Sequence, residues 1–330
     1  MSFFKLQNLP QPFFVLAPMD DVTDTVFRRV IADCAAPDLY FTEFVNVDGL
    51  QSPGRPKLLK KLRFTEVEQP LIAQIWGKNP ENFQTTADEI ASGSLARELG
   101  LPEGVNFAGI DLNMGCPEKN VVKNGTCSAL INDPELAVAM IQATQAGAAG
   151  RLPVSVKTRL GFNEVTWDWP TTLLQQKLNM LTIHGRTRAQ MSKVPADWAA
   201  IGQVRALRDS LSPDTLIVGN GDVMSRAQGE ALAKEHGLDG VMVGRGIFQD
   251  PYLFAEDTPW LNLERAERIS LYRSHVELFA ATWRNNERPI HTLNKFCKIY
   301  INHFDGAKEL RELLMNATSA DELLAIMQAA

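Results

Sequence analysis

Eight short runs of apolar and β-branched residues punctuate the first 250 positions, and a helical pattern follows almost every one. They are FFVLAP (13–18), DLYFTEF (38–44), PLIAQIW (70–76), AGIDLN (108–113), PVSVKT (153–158), MLTIHG (180–185), TLIVGN (215–220) and GVMVGR (240–245). Near-continuous apolar strands separated by helices imply a parallel sheet covered on its outer face. ENFQTTADEIASGSLARELG and ELAVAMIQATQAG read as two of the helices, the second opened by Asp133 as cap and Pro134 as first helical residue. Roughly eight such units in about 250 residues match the size and count of a (β/α)8 barrel. A doubly wound sheet is the competing α/β architecture, and the placement of the polar residues decides between them.

After DPYLFAEDTPW (250–260), rich in turn formers, the strand patterns stop. ERAERISLYRSHVELFAATWRN, IHTLNKFCKIYINHF, AKELRELLMNA and SADELLAIMQ read as helices, and Ser319 and Glu322 have capping-box spacing. The sequence thus predicts a barrel over 1–255 and a small all-helical domain over 256–330. A chain of 330 residues buries a large core without disulfides. Cys34, Cys116, Cys127 and Cys297 form no CxxC pair and no zinc-like spacing, which fits free thiols in a reducing cytosol. Pro10 and Pro12 interrupt the N-terminal stretch, and no run of about 18 apolar residues occurs, so neither signal peptide nor membrane span is expected. The net charge of −6, from 33 basic and 39 acidic residues, gives no general pull toward nucleic acid. A polyanionic partner must be held by local clustering.

In a parallel β/α barrel the chemistry gathers at the C-terminal strand ends. Those ends carry Pro18 and Met19, Glu43, Gln74, Asn113 with Cys116, Lys157 with Arg159, His184 with Arg186, Asn220-Gly221-Asp222, and Gly244-Arg245. Recurrence of a hydrogen-bonding or ionisable group around the whole set favours the barrel. VGNGD (218–222) and VGRG (243–246), after the seventh and eighth strands, suit a phosphate held by backbone N–H groups, with Arg245 adding a charged contact. Cys34 and Cys297 fall in helical patterns and read as packing. Cys116 instead lies on a loop beside a glycine and a proline, where a thiol serves as nucleophile or proton donor. Cys127, near a helix start, reads as packing, though it is close to Cys116. His184 could contact a ligand or satisfy a core hydrogen bond; without a neighbouring carboxylate or second histidine, no metal is expected.

LAPMDDVTD, NMGCP followed by NVVKNG, SVKTRLG, IHGRT, NGDV and VGRGIFQDP, in this order and spacing, resemble the tRNA-dihydrouridine synthases over about residues 10–255. The trailing helices also fit that family. The resemblance implies an FMN-dependent oxidoreductase reducing the C5–C6 bond of particular uridines in tRNA, with NADPH as electron source. Hydride would pass from flavin N5 to uracil C6, and Cys116 would give a proton to C5. A carboxylate would do that poorly, being ionised at neutral pH. By position, Pro18 and Met19 would pack on the isoalloxazine, and Gln74 and Lys157 would bond its polar edge. Asn220, Gly221, Asp222, Gly244 and Arg245 would hold the ribityl chain and phosphate, with His184 beside the phosphate. Asn113, Arg159 and Arg186 would face the substrate. A cytoplasmic monomer without metal is expected.

Two basic clusters could meet the tRNA: Lys57, Lys60, Lys61 and Arg63, and the segment Arg265–Arg311, which has nine basic and five acidic residues. Either is also explained by a solvated face; with the resemblance, docking becomes the expectation. Asp20, Asp21 and Cys127 depart from the small residues usual in the family.

Overall fold

A computed structural model describes residues 4–330. Its strands are β1 (Phe13–Leu16), β2 (Tyr40–Phe41), β3 (Val45–Asn46), β4 (Leu71–Trp76), β5 (Gly109–Met114), β6 (Val154–Arg159), β7 (Met180–His184), β8 (Leu216–Asn220) and β9 (Gly240–Val243). They form one parallel sheet in the order β1-β9-β8-β7-β6-β5-β4-β2, with β3 also on β4. The last strand pairs with the first, Phe13 opposite Gly240 and Leu16 opposite Val243. A bridge between Val15 and Leu39 closes the remaining gap. This is a (β/α)8 barrel.

The second strand departs from expectation. Rather than running over 38–44, it is two short pieces, β2 and β3, separated by Thr42–Phe44. Here the Thr42 hydroxyl accepts from the Gln74 amide at 3.0 Å. Glu43 turns its carboxylate to the Asp21 amide and to Arg288 from the far end of the chain. Polar side chains thus redirect a segment whose composition suits a strand.

Alternation along each strand divides the core in two. Phe13, Val15, Phe41, Ile72, Met180, Val218 and Met242 point inward and pack with one another, joined by Leu6. Their neighbours, such as Phe14, Leu16, Ile110 and Val156, face outward into the larger core beneath the helices. On the inward faces, one or two steps further along, stand Gln74, Asp111, Asn113, Ser155, Lys157, His184 and Asn220. Apolar filling below and polar residues above distinguish the two ends of this barrel.

Asp133 caps the helix Pro134–Ala148 as predicted, accepting from the Leu136 amide at 3.2 Å. The helical stretch 81–100 breaks into Pro80–Ala91 and Ser94–Glu98 at Gly93, where φ is +73°. Beyond 260 the longer helices are Arg265–Thr282, Asn294–Tyr300, Ala307–Asn316 and Ala320–Ala329. Ser319 caps the last, but Glu322 returns its carboxylate to Thr318, so the capping box is half formed. This tail packs on the helix Thr25–Ala35, with Phe296 stacked on Phe27 at 5.0 Å between centroids. No helix among the described residues is long and apolar enough to cross a membrane.

Candidate active site

The strand ends open on a cavity of about 230 Å³. Pro18 and Met19, from the loop after β1, form one wall, and Lys157, Arg159 and His184 its centre. Asn220, Gly221 and Asp222 after β8, with Gly244 and Arg245 after β9, complete it. All the residues expected at a flavin therefore meet in one cavity, except Gln74, which is fully buried below. Gly221 has φ +134°, and a Cβ there would lie 2.6 Å from the Ala196 methyl. At Gly244 a Cβ would meet only Ala17, at 3.8 Å, so its backbone is open to a ligand.

Asn220 donates to the Met242 carbonyl at 2.8 Å, tying β8 to β9. Asp222 accepts from Arg186 and from the Ala196 amide, and Arg245 lies 3.7 Å from its other oxygen. Arg186 is buried, bonds the Val194 carbonyl at 2.6 Å, and sets Nη1 3.4 Å from His184 Nε2. A guanidinium only donates, so Nε2 accepts and the ring proton belongs on Nδ1. Nδ1 is buried and has no partner among the described residues. Burial first, then Arg159, Lys157 and Arg186, push the His184 pKa well below its ordinary value, so the ring is neutral. Arg186 was expected at the substrate; the structure sets it behind His184, beside Asp222, with almost no surface exposed.

Cys116 stands half-buried on the loop after β5. Asn113 shapes that loop: its Oδ1 accepts from the amides of Gly115 at 3.1 Å and Cys116 at 3.0 Å. The Cys116 carbonyl accepts from the Ser128 amide and hydroxyl, at 3.3 and 2.8 Å, which brings the buried Cys127 alongside. The neighbouring Cys127 thiol is the largest influence lowering the Cys116 pKa, from 9.0 to about 7. Burial opposes it; the Glu118 amide, Arg159 and Lys157 reinforce it. The same pairing, with burial, raises Cys127. Cys127 is therefore a partner of Cys116 as well as a packing residue. Arg159 donates to the Gly115 carbonyl at 2.8 Å and so joins the thiol loop to the cavity. Lys157, opposite Asn113 in the ladder, is drawn down to about 8 by burial and by Arg159, while Asp111 and Cys116 pull it back.

Under these groups runs a hydrogen-bonded row with no counterpart in the sequence reading. Ser155 Oγ donates to Asp111 Oδ1 at 2.6 Å, and Gln74 Nε2 donates to Asp111 Oδ2 at 2.7 Å. Asn113 Nδ2 in turn donates to Gln74 Oε1 at 3.1 Å. Asp111 is fully buried, which raises its pKa to about 6 against the opposing effects of Ser155, Gln74 and Lys157. Its signal was available: residues 111 and 113 are two apart in one strand and must share a face.

The basic clusters are largely engaged within the chain. Lys61 pairs with Asp20, Arg63 with Glu287, and Lys60 bonds the Glu287 carbonyl. Arg268 is buried against the Trp260 and Leu263 carbonyls, and Arg288 against Glu43. Asp20, Asp21 and Glu43 gather oxygens within 4.8 Å of one another, facing Lys61 and Arg288.

Residues 15–330 match the family model described as Dihydrouridine synthase (Dus). The chain belongs to the dihydrouridine synthase family. It is 45% identical to the probable tRNA-dihydrouridine synthase 2 of Bacillus subtilis (strain 168), over 97% of this chain and 94% of that relative. The probable tRNA-dihydrouridine synthase of Staphylococcus aureus (strain COL) is likewise 45% identical, over 97% and 93%. A solved structure of histamine dehydrogenase from Rhizobium sp. 4-9 aligns with TM-score 0.50 at 11% identity, covering 80% of this chain and 48% of that one. That likeness is of fold alone. As a dihydrouridine synthase the chain is an oxidoreductase.

Proposed function

We propose that this dihydrouridine synthase reduces the C5–C6 bond of particular uridines in tRNA, with FMN in the cavity, NADPH as reductant and Cys116 as proton donor. The observation that carries the reading is the junction of two sites: Lys157 and Arg159 line the cavity and also act on the Cys116 thiol. The residues present fit FMN. Gly244 leaves backbone uncovered, Arg245 offers a cation to a phosphate, and neutral His184 holds an unpartnered buried N–H. Pro18 and Met19 provide the apolar wall a flat ring needs.

FMN, when bound, supplies the hydride for uracil C6. Lys157, with a pKa of about 8, is mostly cationic at neutral pH and stabilises negative charge in the cavity. Asn113 and Arg159 fix the loop that presents Cys116 to the base. The Cys116 S–H gives its proton to C5, where charge develops once C6 has been reduced. The sulfur left behind is stabilised by the Cys127 thiol, the Glu118 amide and the two nearby cations. A uridine must leave its stack to reach this mouth, at a cost of a few kcal/mol.

The reading assigns FMN to a barrel domain, 1–255, and tRNA to a helical domain, 256–330. It takes the enzyme as a cytoplasmic monomer. The test is to incubate FMN-loaded protein and NADPH with unmodified tRNA, wild type beside Cys116→Ala. Dihydrouridine from the wild type, reduced about 10²-fold or more in the variant, is expected. A yellow, NADPH-oxidising protein that leaves a range of such tRNAs unmodified would overturn it.

A further inference from the structure

Asp111 touches neither the cavity nor the thiol loop, yet it lies at the root of the row beneath both. An ionised carboxylate accepts hydrogen bonds and gives none, whereas each amide side chain has one donating and one accepting end. The consequences run in one direction. Because Asp111 accepts from Gln74 Nε2, Gln74 must turn Oε1 toward Asn113. Asn113 must then offer Nδ2 to Gln74, which leaves Oδ1 for the amides of Gly115 and Cys116. Reversed, Gln74 would present a donor to Asn113, and Asn113 would turn its own donor end toward two backbone N–H groups. The loop would then lose its acceptor.

We infer that Asp111 is a positioning residue, whose acceptor toward Gln74 fixes both amide orientations and thereby holds the Cys116 loop in place. Ser155, at 2.6 Å on the other oxygen, keeps the carboxylate from rotating. The proposal rests on the reading of Cys116 as the reactive thiol. What matters is the acceptor, not the charge. Asparagine at 111 keeps an oxygen for Gln74 and can turn Nδ2 to the Ser155 hydroxyl, whereas leucine keeps nothing.

The test compares Asp111→Asn and Asp111→Leu in FMN-loaded protein. Iodoacetamide labelling of Cys116 is followed against pH by mass spectrometry of its peptide, and kcat and KM for tRNA are measured separately. A thiol whose pKa rises from about 7 by one unit labels about fivefold more slowly at pH 7. Asp111→Leu should show at least that loss, with kcat falling and KM for tRNA held, while Asp111→Asn labels within about twofold of wild type. Labelling unchanged in Asp111→Leu overturns the proposal. So does an equal loss in both variants, which would make Asp111 act through its charge. If Asp111→Leu does not fold, Gln74→Leu cuts the next rung and must slow labelling in the same way; normal labelling there also overturns it. The labelling requires no substrate, so it stands even if Cys116→Ala proves active and the proton-donor reading fails.

Discussion

Removing the Cys127 thiol should move the pH dependence of this enzyme. That thiol is the foremost influence drawing Cys116 from 9.0 to about 7, and without it burial is opposed only by the Glu118 amide, Arg159 and Lys157. Cys127→Ala should therefore return Cys116 toward 9.0. The sign follows from the role. A proton donor works as S–H, so activity falls as pH rises through the thiol pKa. In the wild type that alkaline limb of kcat/KM should lie near 7; in Cys127→Ala it should move up by about one unit, to where Lys157 loses its charge near 8. At pH 7 the wild-type thiol is about half ionised, so the variant gains at most about twofold in donor population while losing stabilisation of the departing sulfur. Cys127→Ser is the control, because a hydroxyl still donates and should keep the limb near 7. Rates of dihydrouridine formation from pH 6 to 10, fitted for each variant, measure the effect. Coincident limbs in wild type and Cys127→Ala would refute the reasoning.

Arg288→Met strands the fully buried Glu43 without its cation and should cost about 3–5 kcal/mol in urea unfolding, partly recovered in Glu43→Gln/Arg288→Met. Equal midpoints for Arg288→Met and wild type would show that the pair is not an anchor. Gly221→Ala forces a side chain into φ +134°, 2.6 Å from Ala196, with local strain of about 1–3 kcal/mol. FMN affinity, read by fluorescence titration, should drop while the circular dichroism spectrum holds; undiminished affinity would remove the backbone at Gly221 from the cofactor site.

The parallel α/β class was legible because its strands are apolar on both faces, and the barrel rather than a doubly wound sheet because nearly every strand ends in a polar group. The mouth was legible because polar residues close strands that are otherwise hydrophobic. What escaped lay one residue further in or beyond local pattern. Asp111 sits inside a strand rather than at its end, and only the two-residue alternation links it to Asn113. Cys127 meets Cys116 through two hydrogen bonds from Ser128, which no spacing announces. The break at Thr42–Phe44 depends on Arg288, 245 residues away from Glu43. Arg186, expected at the substrate, bonds Asp222 from behind the His184 ring, an arrangement that its place at a strand end does not reveal.

The charges show why counting along a chain misjudges a surface. Asp20 and Asp21 depart from the small residues usual after the first strand, and the structure supplies the reason: Lys61 pairs with Asp20, Arg288 faces Asp21, and Lys295 bonds the Asp21 carbonyl. Trp283 adds its indole N–H to Asp24 at 3.0 Å, with Arg63 and Arg288 both over its ring at 4.8 and 4.9 Å. Residues that look like an RNA footprint thus fasten the C-terminal helices to the loop carrying Met19 into the cavity. Exposed pairs such as Arg63–Glu287 contribute about 0–1 kcal/mol each, so among the ion pairs the buried Arg288–Glu43 contact is the one that can fix the tail, beside the Phe296–Phe27 packing. Lys57, Arg265, Arg284, Lys295, Lys298 and Lys308 are exposed and enter none of the ion pairs among the described residues. Phosphate neutralisation scales with cations that can exchange solvent ions for RNA, so on the proposed reading this exposed set, not the basic count of either cluster, would govern what the two clusters add to tRNA affinity. On that reading the acidic net charge and a tRNA substrate are compatible, because the anchored tail would orient the tRNA while an exposed basic set attracts it.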